Sequence, residues 1–356
     1  MKKIKIQDRL IGEGEPVFII AEAGVNHNGD ITLAKKLVDV AKKTGADVVK
    51  FQTFKAENLV TKDALMASYQ SKNTGIKQSQ QEMLKKLELN YENFNELKNY
   101  CDEKDIIFLS TPHTEDAADY LDDLVPAFKI GSGDLTNLPY LEKIAKKRKP
   151  IILGTGMGTM DEVKDAVEVI TRYNDHLILL HCTTNYPCPK SDVNLLAMKT
   201  MQKETGCIVG YSDHTEGIQV PKYAVSLGAQ VIEKHFTLDK NMDGPDHKAS
   251  LDPYELKEMV QKIRSGTSVE IPNDILGDGI KKPTKDEIEI AKVARKSIVS
   301  KTNIPKGTKI TMGIIQIKRP GTGIPPKELK NVLGKIVRKD ICEDSVIERD
   351  DIYEKN

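Results

Sequence analysis

A (β/α)8 barrel followed by a smaller β-rich domain is the architecture expected of this chain, and three observations lead there. Eight short apolar runs occupy its first two thirds, amphipathic stretches of helical length separate them, and its 356 residues exceed the roughly 250 that a barrel needs. The runs are Val17 to Ala21, Asp47 to Phe51, Ile106 to Leu109, Ala127 to Ile130, Ile151 to Leu153, Leu177 to Leu180, Cys207 to Val209 and Val231 to Ile232. Runs this short and apolar read as parallel strands buried on both faces. A barrel keeps its active site at the C-terminal ends of its strands. Glu22, Lys50, Gln52, Thr111, Lys129, Ser132, Thr155, His181, His214 and His235 fall at or just after those ends.

Ahead of the first strand, Ile4 and Ile6, then Leu10 and Ile11, alternate with polar residues and suggest a short hairpin closing one end of the barrel, with a frayed tail as the alternative. Asp30 is placed to cap a helix whose apolar face is Leu33, Leu37, Val38 and Ala41 and which Gly45 ends. The same strand, loop and helix unit recurs, with helices opening at Thr114, over Leu138 to Lys147 and Thr159 to Tyr173, and then over Asp192 to Glu204, Thr215 to Leu227 and Asp252 to Ile263. The second unit is longer: residues 61–80 lie between its strand and a helical QQEMLKKLEL segment, where barrels grow substrate lids.

Composition changes after Arg264. Residues 1–265 read as the barrel with its hairpin, 266–291 as a Gly-, Pro- and charge-rich linker, and 292–356 as a second domain. In that domain Ile304, Ile310 and Ile315 repeat the spacing of Ile341, Ile347 and Ile352, so two similar β arches packed on each other are expected, against chance periodicity in an Ile-rich segment. All seven histidines precede residue 248, which assigns metal and proton chemistry to the barrel.

Lys plus Arg balance Asp plus Glu at 53 each, which argues against a nucleic-acid partner and for a small molecule. The five cysteines are scattered without a CxxC pair, against a disulfide framework or structural zinc and in keeping with a reducing cytoplasm. The N-terminus lacks an apolar signal core and no stretch approaches a membrane span, so a soluble, unprocessed chain is expected.

His214 and His235 follow strands seven and eight, neighbours in a closed barrel, so their imidazoles can converge on one divalent cation that keeps open positions; capping a strand end is the competing role. Lys50 and Lys129 interrupt apolar runs, where an unpaired ammonium is costly. With Thr111, Ser132, Thr155 and Ser212 they suit a phosphate and a carboxylate on one small molecule. A Schiff-base lysine, or plain salt bridges to Glu22 and Glu233, remain open. Glu22 and Asp134 are candidate acid/base carboxylates, Asp246 and His247 follow strand eight, and Gln52, Asn185 and Tyr186 have the groups to bind sugar hydroxyls.

Ten segments, AEAGVNHNGD, VVKFQTFKAENL, FLSTPH, FKIGSGDLTNLPYL, ILGTGM, LLHCTTNYPCP, VGYSDHT, EKHFTLDK, DGPDHKASLDP and KRPGTGI, together resemble the N-acetylneuraminate (sialic acid) synthase family over almost the whole chain, including a C-terminal segment similar to the antifreeze-like, or SAF, domain. The resemblance implies condensation of phosphoenolpyruvate with the open-chain aldehyde of an N-acetylmannosamine-type sugar, giving a nonulosonic acid and phosphate. It implies that His214 and His235 hold Mn2+ or Mg2+, that Lys50, Thr111, Lys129, Ser132 and Ser212 grip phosphoenolpyruvate, and that Glu22 or Asp134 manages protons. Gln52, Asn185, Tyr186 and Asp246 would hold the sugar. Arg319 looks like an arginine that meets the N-acyl group in a neighbouring protomer's site, which implies a domain-swapped homodimer.

Three positions depart from the family pattern. Gly154 stands where Ser is frequent, so Thr155 would have to supply a hydroxyl; Asp134 stands where Glu is usual; His113 replaces a common Phe. Segments VGYSDHT, DKNMDGPDHKASLDP and GDGIKKPTKDE are also similar to legionaminic acid synthases, which use a 2,4-diacetamido-2,4,6-trideoxymannose. N-acetylmannosamine is the slightly preferred sugar at this point. A reading of another class is a glycan- or ice-binding module on a decayed barrel.

Overall fold

Residues 3–75, 78–266 and 270–353 are described by a computed structural model. A two-stranded hairpin comes first, β1 (Ile4–Ile6) against β2 (Arg9–Ile11). Its Ile4, Ile6 and Ile11 join the barrel's hydrophobic core, so the alternation read from residues 1–15 is a plug and not a frayed tail.

The barrel strands are β3 (Phe18–Gly24), β4 (Val48–Thr53), β5 (Ile107–Pro112), β6 (Phe128–Ile130), β7 (Ile151–Gly154), β8 (Leu177–His181), β9 (Ile208–Asp213) and β10 (Val231–His235). Parallel ladders join them in the order β5-β4-β3-β10-β9-β8-β7-β6, and β5 packs beside β6 to complete the ring. Each strand is buried on both faces, which is why it reads as a continuous apolar run. Several strands continue past the runs into polar residues: β9 extends to Ser212 and Asp213, and β10 to Glu233, Lys234 and His235. With a side-chain period of two, Glu233 and His235 face the barrel interior's mouth while Lys234 points outward. There Lys234 meets Asp213 at 2.5 Å, both fully buried, and donates to the Thr215 carbonyl.

Helix starts follow local chemistry. Asp30 accepts from the amides of Thr32 and Leu33 to open Ile31–Thr44, and Gly45 closes it at φ 83°. Thr159 and Asp252 form capping boxes for Met160–Thr171 and Pro253–Arg264. The helix expected from Thr215 starts later, at Gln219, because the Asp213 carboxylate takes both the amide and the hydroxyl of Thr215 into a local turn.

The long second unit has its own apolar cluster, including Val25, Phe54, Leu59, Met83, Leu84 and Leu87. A separate core lies in the C-terminal domain, where β11 (Ser297–Ser300) pairs with β12 (Ile315–Lys318). All six isoleucines of the repeat are buried in it, and Ile304 bridges Ile341, the first member of each triplet facing the other. Residues 267–269 of the expected linker lie outside the described residues. From residue 278 the connection runs along the barrel, where Asn194 holds Asp278 and the Ile280 carbonyl.

The C-terminal domain docks on its own barrel's mouth. Val60 bridges Arg319, with backbone bonds from Thr61 to Arg319 and from Arg319 to Leu59. Arg295 makes two bonds to the Glu162 carboxylate at 2.7 and 2.8 Å. Gly133 is required at this seam: a Cβ there would lie 2.6 Å from the Ala294 carbonyl oxygen. Among the described residues, no helix is long and apolar enough to cross a membrane.

Candidate active site

A cavity of about 160 Å³ opens at the C-terminal ends of the strands, and two buried lysines form its floor. Lys50, on β4, is 2 % exposed and lies 2.6 Å from Glu22 and 3.6 Å from Glu233, and donates to the Thr111 hydroxyl at 3.0 Å. Lys129, on β6, lies 3.4 Å from Glu233, which also accepts from the Ser212 hydroxyl at 2.9 Å. Strand register explains the cluster: Glu22 is level with Lys50 on one side and His235 on the other, and Glu233 with Ser212. Two ammonium groups thus share two carboxylates, all four side chains at most 6 % exposed.

Burial, the like charge of Glu233 and an opposing Lys50 leave the Glu22 carboxyl at about 7. Glu233 goes the other way: Lys129 and Lys50 outweigh its burial and draw it to about 2. For Lys50 burial opposes the charge, and the two carboxylates overcome it.

His214 and His235 face each other with ring centroids 5.7 Å apart, and Tyr186 packs 4.1 Å from the first and 5.6 Å from the second. The His214 Nδ1 donates to the Thr183 carbonyl at 2.7 Å, which leaves Nε2 as its lone-pair nitrogen. The His235 Nδ1 is buried without a hydrogen-bond partner. Burial, and for His235 the neighbouring His214 and Lys50, depress both rings' proton affinity, so both are neutral donors. Among the described residues, no group of three or more His, Cys, Asp or Glu side chains gathers to hold an ion. The pair fits a cation whose other positions go to water or substrate.

The long connection after β4 contributes Tyr69, Gln70 and Gln80 to the walls, the segment that follows it contributes Met83, Leu84 and Leu87, and Asp246, raised to about 6 by burial, lines the cavity from the loop after β10. Gln52 donates to Glu22 at 3.2 Å, and Arg319 enters from the C-terminal domain. Thus Glu22, Lys50, Gln52, Thr111, Lys129, Ser132, Tyr186, Ser212, His214, His235, Asp246 and Arg319 all reach one cavity.

Three expected site residues do not. Thr155 donates to the Leu180 carbonyl at 2.9 Å and faces Met201, on the outside of the ring. Asn185 bonds Asp286 at 3.0 Å and is tied to the helix that leads into the C-terminal domain. Asp134 is turned off the cavity by the short helical turn Ser132–Asp134, and its carboxylate pairs with Lys296 at 2.8 Å and accepts from Asn137 at 2.9 Å. In the single chain it therefore links the barrel to the C-terminal domain. His181 and His247 are also structural, the first bonded to the Val193 carbonyl and the second between Thr237 and Asn28.

Comparison with known proteins then decides the kinship. The model of the NeuB family matches residues 37–271, and the SAF domain model matches residues 295–352. The chain belongs to the NeuB family. Among its relatives, the N,N'-diacetyllegionaminic acid synthase of Campylobacter jejuni is 49% identical over 334 residues, 93% of this chain and 98% of that protein. The human N-acetylneuraminate-9-phosphate synthase is 39% identical over 342 residues, 95% of this chain and 93% of that one. A crystal structure of the Bacillus subtilis spore coat polysaccharide biosynthesis protein SpsE superposes with a TM-score of 0.86 at 35% identity, covering 100% of both chains.

Within this NeuB-family site the sequence departures acquire reasons. A Cβ at Gly154 would lie 2.9 Å from the Ser132 hydroxyl, so Ser132 occupies the space that another hydroxyl would need. Lys296 and Glu287 were missed in the sequence. Lys296 meets a partner more than 160 positions away, and Glu287 accepts from the amides of Met157 and Thr184 at 2.7 and 2.8 Å, contacts that local pattern does not encode.

Proposed function

We propose that this enzyme condenses phosphoenolpyruvate with the open-chain aldehyde of a 2,4-diacetamido-2,4,6-trideoxymannose to give a diacetylated legionaminic acid and phosphate. The Lys50 and Lys129 pair, buried and already balanced by carboxylates, carries the reading: it suits a compact polyanion that exchanges places with those carboxylates. Thr111, Ser132 and Ser212 supply hydroxyl donors beside it. Two observations support the 6-deoxy diacetamido sugar over N-acetylmannosamine. One wall is apolar, with Val25, Phe54, Leu59, Met83 and Leu87, and suits three methyl groups; and the Campylobacter legionaminic acid synthase is more similar than the human neuraminate enzyme.

His214 and His235 would hold Mn2+ or Mg2+, and such an ion supplies Lewis-acid polarisation of the aldehyde oxygen. The chain's own residues do the rest. The lysines orient the enol phosphate and exclude water from its phosphate, and Glu22, poised near neutrality, exchanges the proton of the water that adds at the enol's C2. Asp246, Tyr186 and Gln52 orient sugar hydroxyls, and Arg319 donates to an acyl oxygen.

Phosphate release and product mass, measured with phosphoenolpyruvate and each sugar in parallel, test the reading. Turnover with the diacetamido sugar at least tenfold above N-acetylmannosamine is expected; the reverse ranking restores the neuraminate reading, and no turnover with either overturns both. The head-to-tail homodimer implied by the family resemblance would make the Arg319 contacts between copies, which in the single chain are made within it. Mixing Glu22→Gln and Arg319→Ala chains tests this, since domain exchange restores activity and contacts within one chain do not.

A further inference from the structure

His113 is buried at the cavity wall, with the Phe54 ring T-shaped to it at a centroid distance of 6.1 Å and the Lys296 ammonium on its backbone carbonyl. Its hydrogen bonds fix its tautomer. Gln52 gives its amide nitrogen to Glu22 at 3.2 Å, so its amide oxygen faces the His113 Nε2 at 3.3 Å. An amide oxygen only accepts, and Nε2 therefore carries the ring's proton. Burial, with the positive charges of Arg319, Lys296, Lys50 and Lys129, opposes a second proton and holds the ring neutral. The Nδ1 is left as a bare lone pair, buried and without a partner.

That lone pair needs a donor from the ligand. Phosphoenolpyruvate in its ionised form brings only acceptors, so the donor has to come from the sugar. A second unpartnered atom narrows the choice, since Arg319 lines the same cavity and its Nε is a buried donor with no acceptor. One acceptor and one donor, beside an apolar wall, match the N–H, the carbonyl and the methyl of an acetamido group. We propose that His113 is a specificity-determining residue whose Nδ1 accepts a hydrogen bond from an acylamino N–H of the aldose, while Arg319 donates to the acyl oxygen. This rests on the proposed condensation and adds the residue that reads the nitrogen.

The experiment compares the acetamido sugar with its N-methylacetamido analogue, which keeps the carbonyl and lacks the N–H, in the wild-type enzyme, His113→Phe and His113→Gln. A site built around a hydrogen bond rejects a ligand that lacks its partner. The wild type should prefer the N–H sugar by about tenfold or more in kcat/KM. In His113→Phe that preference should collapse to near unity through a higher KM for the sugar, with the KM for phosphoenolpyruvate unmoved. The glutamine variant, whose amide oxygen can accept, should regain part of the preference, which a purely structural role would not produce. An undiminished preference in a folded His113→Phe enzyme would overturn the assignment while leaving the condensation intact; wild-type inactivity towards every aldose would bring down the condensation itself and this inference with it.

Discussion

Lys50 shows how much one side chain can commit a site to. Its ammonium holds Glu22 and Glu233 together at 2.6 and 3.6 Å, so removing it leaves two carboxylates facing each other out of water. Lys50→Met should cost about 3 to 5 kcal/mol of stability. It should also lower kcat/KM for phosphoenolpyruvate by about a hundredfold or more, from the loss of a charge-assisted contact. Denaturant titration and phosphate release check the two effects separately. The carboxylates set the pH response. Glu22 has a folded value of about 7, above its ordinary 4.5, so its contribution to stability is whole at acid pH and is lost as pH rises through about 7. Glu233, drawn to about 2, contributes above its ordinary range and loses that as pH falls toward 2. An incoming polyanion favours the protonated Glu22, so KM for phosphoenolpyruvate should climb above pH 7 in the wild type and flatten in Glu22→Gln. A profile unchanged by that substitution would contradict the role.

At the scale of elements, legibility followed burial. Lys50 and Lys129 stood out because a charge inside an apolar strand has few innocent explanations; strand parity then brought Thr111 and Ser212 to the same floor, and the turn after β6 brought Ser132. Residues on the connections were harder to place. Thr155 lies one position beyond β7 and faces the helix layer, and Asp134 sits on a turn that reverses its side chain. Neither direction is set by hydropathy. The Asp134 and Lys296 pair, each at most 5 % exposed, instead fastens the end of β6 to the start of β11. Lys296→Met should therefore destabilise docking by about 3 to 5 kcal/mol, and adding Asp134→Asn should recover much of that because the stranded charge is removed. Thermal unfolding of the single and double variants gives the comparison. Gly24 is a further constraint, at φ 55°, where a Cβ would lie 3.3 Å from the His235 ring. Gly24→Ala should cost roughly 1 to 2 kcal/mol in stability and disturb His235 as well.

For the whole molecule, the division into a barrel and a second β-rich domain was readable from length, runs and the isoleucine repeat, while their docking was not. The contacts join Leu59 to Arg319, Gly133 to Ala294 and Glu162 to Arg295, pairs so far apart in the chain that no window of sequence contains both partners. Docking carries Arg319 to the cavity, so the C-terminal domain belongs to the site, and Gly133→Ala should lower turnover by pushing on Ala294 without touching the barrel core. The proposed cation gives another test at this scale. A chelator should stop turnover and Mn2+ or Mg2+ should restore it, while the melting temperature changes little, because the two imidazoles sit at the rim. Persistent turnover in chelator would exclude the metal role.

Ser297 lies opposite Lys318 in the β11 and β12 ribbon, so Lys296 and Arg319 leave the same end of it as two prongs of one fork. Neither prong moves without the other. Adding one residue within β11 or β12 would flip the ribbon's faces and withdraw both at once, whereas lengthening the connection between Lys301 and Ile314 would leave the fork seated. Tolerance to insertion should therefore change abruptly at Ser300, and that step would mark where the appended domain stops being ornament and becomes part of the enzyme.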